Sequence, residues 1–340
     1  MTRQGSKSLE LVVDNYLFDF SRLRETRFKR LVLEAPQGFV RLLPRIASFL
    51  REKLPGAKIV YRLEPAYGLC SISLSLAQGD TGVVHVGHDY YPYPFCGLDG
   101  CSYRLPDNVL VVPGLYLGGD VEKLSQRVSS LGVGRVAIGY SAQHSRLAAS
   151  LAGRLQELGV EVVYVGPLLG CYFAPYLRLR GSVDAYLVVA GGTFHALGLG
   201  LSLGSGESVY RVDPYSDSVE AVEGTVRRFL AKRFWAMRAF VGARRVGIVV
   251  GLLPGQHRPG LVNALTALLK RHGIEYDLIL VEHLSRELLD NLGPNEYDAY
   301  VVTSCPRLAV DDLGDYWKPV LAPGEAVAAL RGGRDYIFPW

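Results

Sequence analysis

The chain has no run of consecutive lysines and arginines of the kind that marks a nucleic-acid arm or a membrane patch. Its 37 lysines and arginines face 33 aspartates and glutamates, a formal net charge of +4, and so mild a balance names no polyanionic partner. Long apolar runs are missing too. Val246-Gly-Ile-Val-Val-Gly-Leu-Leu253 is among the longest and falls well short of the ~18 residues a membrane span needs. Glu10, Asp14 and Asp19 break up the apolar N-terminal stretch, which excludes the hydrophobic region of a secretory signal and predicts a cytoplasmic protein. Cysteine is scarce, at five residues. In a reducing compartment these should stay thiols, which favours metal binding, catalysis or burial over a disulfide framework. There is no Gly-x4-Gly-Lys-Ser/Thr and no Gly-x-Gly-x-x-Gly after a first strand, so phosphate recognition lacks support.

What remains is ample core material. With 340 residues, 49% of them hydrophobic, the chain can build two or three domains. Short Val/Ile/Leu runs alternate with longer segments of helical period, the pattern of βαβ units around parallel sheets. Strands are expected at 30–34, 58–63, 82–86, 135–139, 161–165, 185–189, 245–250, 276–280 and 299–303, with helices over 37–53, 144–158 and 261–272. The fold class is α/β, with three similar domains, each a small parallel sheet flanked by helices. Residues 1–118 form the first, 119–217 the second, and 218–340 a bridging helix followed by the third. The bridge is the amphipathic stretch Ser218 to Phe240, whose Arg227, Arg228, Lys232 and Arg233 read as a solvated face.

Each domain carries one cysteine just past a strand: Cys70, Cys171 and Cys305, at intervals of 101 and 134 residues. Those intervals rule out a local knuckle. A single such cysteine is usually a small buried hydrophobe, but ligands of open α/β sheets bind at the carboxyl ends of strands, where all three would sit. Structural zinc prefers four ligands in close pairs. Three thiolates can instead hold a cubane and leave one iron open to a substrate.

The sequences around these cysteines are more telling. Pro65-Ala-Tyr-Gly-Leu-Cys70, Leu169-Gly-Cys171, Gly191-Gly-Thr-Phe-His-Ala-Leu-Gly198, Tyr210-Arg-Val-Asp-Pro-Tyr215, Pro254-Gly-Gln256 and Ser304-Cys-Pro-Arg-Leu-Ala-Val-Asp-Asp312 occur in this order. They resemble the motifs of the archaeal diphthamide synthase family, from about Leu31 to Glu325. The resemblance implies a homodimeric 3-amino-3-carboxypropyltransferase that modifies a histidine of translation elongation factor 2. It implies a 4Fe-4S cluster held by Cys70, Cys171 and Cys305, and S-adenosylmethionine bound at the open iron. After reduction by an electron donor, a 3-amino-3-carboxypropyl radical would add to the imidazole carbon. The clustered Cys-x3-Cys-x2-Cys of ordinary radical S-adenosylmethionine enzymes is absent. Neither a membrane nor a nucleic acid is an expected partner.

By their position in the motifs, Arg307 and Gln256 are expected to hold the amino acid end of the cofactor, Gly191 and Gly192 to allow close backbone approach, and His195 to contact cofactor or partner. No catalytic residue beyond the cluster ligands is assigned. Asp311 and Asp312 read as a helix cap, and His85 and His88, flanking Gly87, as structural. Cys96 and Cys101 read as plain loop cysteines rather than a chelate or a disulfide. The family's Asp-Pro-Cys-Tyr-Gly-x-Cys-Asp segment appears here as Glu64 to Ser71, with Ala66 and Ser71 as departures, and Leu253 replaces a lysine before Pro-Gly-Gln. These departures motivate an alternative, a catalytically degenerate paralogue acting as partner or scaffold. Outside the family stands an α/β binding module with core cysteines.

Overall fold

The computed structural model describes residues 9–64, 66–97, 100–333 and 335–340. Pro65 of the first motif, residues 1–8 of the first domain, and Leu98 and Asp99 between the paired cysteines lie outside them.

Three parallel sheets dominate. The first orders its strands Lys58–Tyr61, Arg30–Glu34, Thr81–Gly87, Val109–Pro113. The second runs Glu161–Pro167, Arg135–Tyr140, Ala185–Val189, Val209–Asp213, with Ser218–Ala221 added antiparallel at the edge. The third runs Glu275–Val281, Arg245–Gly251, Ala299–Val302, Val320–Leu321. In every sheet the first strand in sequence lies between the second and the third, so each has a crevice at its strand carboxyl ends where the chain reverses direction across the sheet. The apolar runs explain the strands, since Ala185–Val189 and Ala299–Val302 are buried at every position, as strands covered on both faces must be. The second and third sheets share one core, in which Tyr186 and Val188 cluster with Tyr300 and Val302.

Several expectations need correction. The segment 37–53 is two helices, Gln37–Val40 and Leu43–Lys53, because Pro44 lacks the amide that would continue the first. The bridging stretch starts as the strand Ser218–Ala221, and only Glu223–Val241 is helical. Arg233 is not on a solvated face. It is 1% exposed and bonds Glu325 through Nε–Oε1 (2.7 Å) and Nη2–Oε2 (2.5 Å), while donating to the carbonyls of Ala309 and Val320. Its helix contacts both the 194–203 and 323–330 helices, so that guanidinium points into the junction.

An N-terminal sheet was not anticipated. Glu10–Val13 and Tyr16–Asp19 form a hairpin whose second strand pairs with Leu115–Tyr116. Its two turn residues, Asp14 and Asn15, both have positive φ (49° and 63°), the conformation a two-residue hairpin turn requires. Among the described residues no helix is long and apolar enough to cross a membrane.

Candidate functional site

The chain leaves strand Lys58–Tyr61 and turns through the short helix Leu69–Ser71, which carries Cys70. It leaves Glu161–Pro167 for Cys171, and Ala299–Val302 for Cys305, just before the helical turn Leu308–Asp312. All three cysteines are free and line one cavity of about 260 Å³. The predicted trio is therefore brought together.

Glycines make the approach possible. A Cβ on Gly255 would sit 2.4 Å from Cys70 Cα, so the Pro-Gly-Gln loop lies directly against the first cysteine, and the Gly255 amide donates to the Cys70 carbonyl at 3.0 Å. A Cβ on Gly170 would come within 1.9 Å of the Phe194 ring, which explains Gly-Cys in the second motif. Ser71, where the resemblance leads one to expect an acid, is buried. Its hydroxyl accepts from the Tyr67 amide at 2.8 Å and donates to the Gly68 carbonyl at 3.0 Å, closing the turn that presents Cys70. Ala66 is buried, and its amide donates to the Ala35 carbonyl.

Burial, then the neighbouring Cys70 thiol, pushes the pKa of Cys305 up to about 12. The same two causes act more strongly on Cys171, and burial raises Cys70 against the opposing Gln256 hydrogen bond. Without metal these are protonated thiols, and metal must displace the protons. Arg258 opposes burial at all three. Its guanidinium stacks on Tyr93 (4.9 Å to the ring centroid) and Trp340 (4.3 Å), while the Tyr93 hydroxyl (2.6 Å) and Trp340 indole (3.2 Å) both donate to the Cys171 carbonyl. Sequence reasoning missed Arg258, because nothing local marks a residue whose role depends on rings 165 and 82 positions away.

Among the described residues, no three His, Cys, Asp or Glu side chains converge closely enough to hold a single metal ion. A cubane takes one thiolate on each of its irons, and three free cysteines lining one cavity suffice for three of them.

Of the expected cofactor contacts, Arg307 and His195 line the cavity; Gln256, Gly191 and Gly192 do not. The buried Gln256 amide points to Cys70 Sγ at 3.7 Å. Gly191 makes room for the Tyr215 ring, which a Cβ would approach to 2.1 Å. Asp311 and Asp312 are not a cap: they lie inside the turn Leu308–Asp312 and face Arg307, with Nε–Oδ2 at 3.0 Å and Nη2–Oδ1 at 3.8 Å. Burial and the Arg307 charge lower the His195 pKa to about 4, so the ring is neutral. Cys96 and Cys101 stand opposite each other in the hairpin Phe95–Gly97/Gly100–Ser102 and form a disulfide. Cross-strand register faces their side chains at each other, which a loop reading could not foresee.

A family model described as "Putative diphthamide synthesis protein" matches residues 35–337. The chain is 28% identical to 2-(3-amino-3-carboxypropyl)histidine synthase of Pyrococcus horikoshii, over 93% of this chain and 90% of that protein. It is 25% identical to subunit 1 of the Homo sapiens 2-(3-amino-3-carboxypropyl)histidine synthase, over 96% of this chain and 75% of that one. The crystal structure of Dph2 from Pyrococcus horikoshii with a 4Fe-4S cluster matches with a TM-score of 0.78 at 26% identity, covering 94% of this chain and 90% of that one. With a family match spanning nearly its whole length, the chain belongs to the diphthamide synthesis family.

Proposed function

We propose that this protein transfers the 3-amino-3-carboxypropyl group of S-adenosylmethionine to the imidazole C2 of a histidine in translation elongation factor 2, the first step of diphthamide biosynthesis. The observation that carries this reading is the meeting of three free cysteines, from three strand ends far apart in sequence, on one cavity. Cys70, Cys171 and Cys305 would each hold one iron of a 4Fe-4S cluster, leaving the fourth for the substrate. When bound and reduced, such a cluster supplies the electron that breaks the bond between sulfonium sulfur and γ-carbon, a radical mechanism.

The protein's own share is placement and exclusion. Arg307 pairs with the amino acid carboxylate, exchanging its hold on Asp311 for the ligand. Neutral His195 lies beside it and leaves that charge undivided. Tyr67 and Tyr91 give the cavity aromatic walls that keep water from a reactive carbon centre. Gln256 steadies the Cys70 thiolate by hydrogen bonding rather than touching cofactor, and Gly191 and Gly192 act through the fold of their loop.

We assign three domains, 1–118, 119–217 and 218–340, on the strength of one four-stranded parallel array of the same strand order in each, with Ser218–Ala221 reaching back to edge the second. A homodimer in the cytoplasm, served by a separate electron donor, completes the reading. The scaffold alternative loses its motive, since Ser71 closes the Cys70 turn without an acid.

Anaerobic reconstitution should give brown protein with about four irons per chain. Reduced, and supplied with S-adenosylmethionine and elongation factor 2, it should release methylthioadenosine and add the 3-amino-3-carboxypropyl mass to the factor. Colourless protein, or brown protein that leaves the factor unmodified, overturns the reading.

A further inference from the structure

The cavity has one more polar feature, assigned by nothing above. Glu34 and His85 are register partners at the carboxyl ends of adjacent parallel strands, 1% and 0% exposed. His85 Nδ1 lies 2.8 Å from Glu34 Oε1, and His85 Nε2 lies 2.9 Å from His88 Nδ1. Between them Gly87 takes φ 105°, with the Phe39 ring 2.2 Å from where its Cβ would be, so only glycine lets the chain turn back and bring the two imidazoles edge to edge, their centroids 5.1 Å apart. His88 lines the cavity that holds the three cysteines.

Protonation follows from this connectivity. The other Glu34 oxygen accepts from the Ser73 hydroxyl (2.6 Å) and amide (3.2 Å), with Arg62 Nη1 at 3.6 Å. Burial raises the Glu34 pKa, but hydrogen bonds from His85 and Ser73 outweigh it and hold the group below its usual range as a carboxylate. A carboxylate accepts only, so His85 donates to it from Nδ1, and in the neutral ring its Nε2 then presents a lone pair. His88 must then donate from Nδ1, which leaves the lone pair on its own Nε2. That nitrogen has no protein hydrogen bond among the described residues. The groups facing His88 are His85 and His195, and burial, then these two rings, lower its pKa and keep it neutral.

The transfer requires such an acceptor. As the sulfonium S–Cγ bond breaks and the Cγ–C2 bond forms, the C2–H bond must break. The electron lent at cleavage is returned, the thioether leaves neutral, and the hydrogen leaves as a proton. We propose that His88 is the catalytic base that takes this proton on Nε2, with His85 and Glu34 as positioning residues that fix its tautomer and pass its Nδ1 proton inward to the carboxylate. This rests on the functional reading above.

Two measurements test it. In metal-free protein with ¹⁵N-labelled histidine, both His85 and His88 should be protonated at Nδ1 and bare at Nε2, and Glu34→Leu should remove that preference. Nε2-protonated rings in the unsubstituted protein overturn the relay. In reconstituted protein, His88→Asn keeps a donor for His85. It should retain wild-type iron content and methylthioadenosine release, while mass gain on the elongation factor slows by about 100-fold or more, as loss of a general base does. Wild-type mass gain, or loss of iron, overturns the assignment. Wild-type protein that loads iron but modifies no factor sinks the functional reading instead, and the ring tautomers then judge the relay alone.

Discussion

Two buried polar networks have opposite designs. Around Arg233 and Glu325 the strong contacts close on one another: Glu325 also accepts from the Tyr336 hydroxyl (2.5 Å) and the Ala322 amide (2.7 Å), and the guanidinium gives two more of its donors to carbonyls. Around Glu34 the chain of bonds has an end, because His88 keeps one nitrogen free at a cavity. A saturated network can only hold elements in place. An open one can exchange a proton, and that difference, rather than burial or charge, separates scaffold from site here.

The comparison can be broken in order of expected effect. Replacing Cys70, Cys171 or Cys305 with alanine should abolish stable iron binding and transfer, read by iron analysis and by mass gain on the elongation factor, with little change in apo melting temperature. Retained iron would place the site elsewhere. Arg233→Met should do the reverse: strand the Glu325 carboxylate, cost roughly 3–5 kcal/mol in denaturant titration as breaking a buried pair does, and leave the iron content of folded protein unchanged.

His144 offers a third case, a buried ring bonded to Ser141 on one side and, among the described residues, with no partner on the other. Burial, then His195, lowers its pKa to about 4, against an ordinary 6.5. The folded state therefore favours the neutral ring. Its contribution is complete above pH 6.5 and is lost as pH falls toward 4, where the slope levels off, a change of at most about 3 kcal/mol. Unfolding curves between pH 7 and 4 should show this slope, and His144→Leu should make it shallower while leaving the part that His195 contributes. The smallest effect belongs to the Cys96–Cys101 disulfide, which closes a short loop. Reducing it should cost no more than about 2 kcal/mol and leave iron loading intact, separating these two cysteines from the other three.

The sheets were legible because their strands are unbroken apolar runs, and the meeting of Cys70, Cys171 and Cys305 because flanking glycines and prolines mark their loops. The N-terminal hairpin was not legible, since its four-residue strands are half exposed and carry charges. Arg233 sits among other basic residues on its helix, and only the partner 92 residues away distinguishes it. The Glu34–His85 pair left a faint sign, a carboxylate and an imidazole inside otherwise apolar strands. Register on adjacent strands, invisible in one dimension, makes them a pair.

If Cys70, Cys171 and Cys305, 101 and 134 residues apart, hold the cluster as proposed, a bound cluster is also a gauge of tertiary order. No single sheet can produce the colour, so thiolate-to-iron absorbance should bleach as soon as the three segments part, before helical content falls. The pigment would then act as an optical ruler for the assembled state during purification, storage or selection of variants.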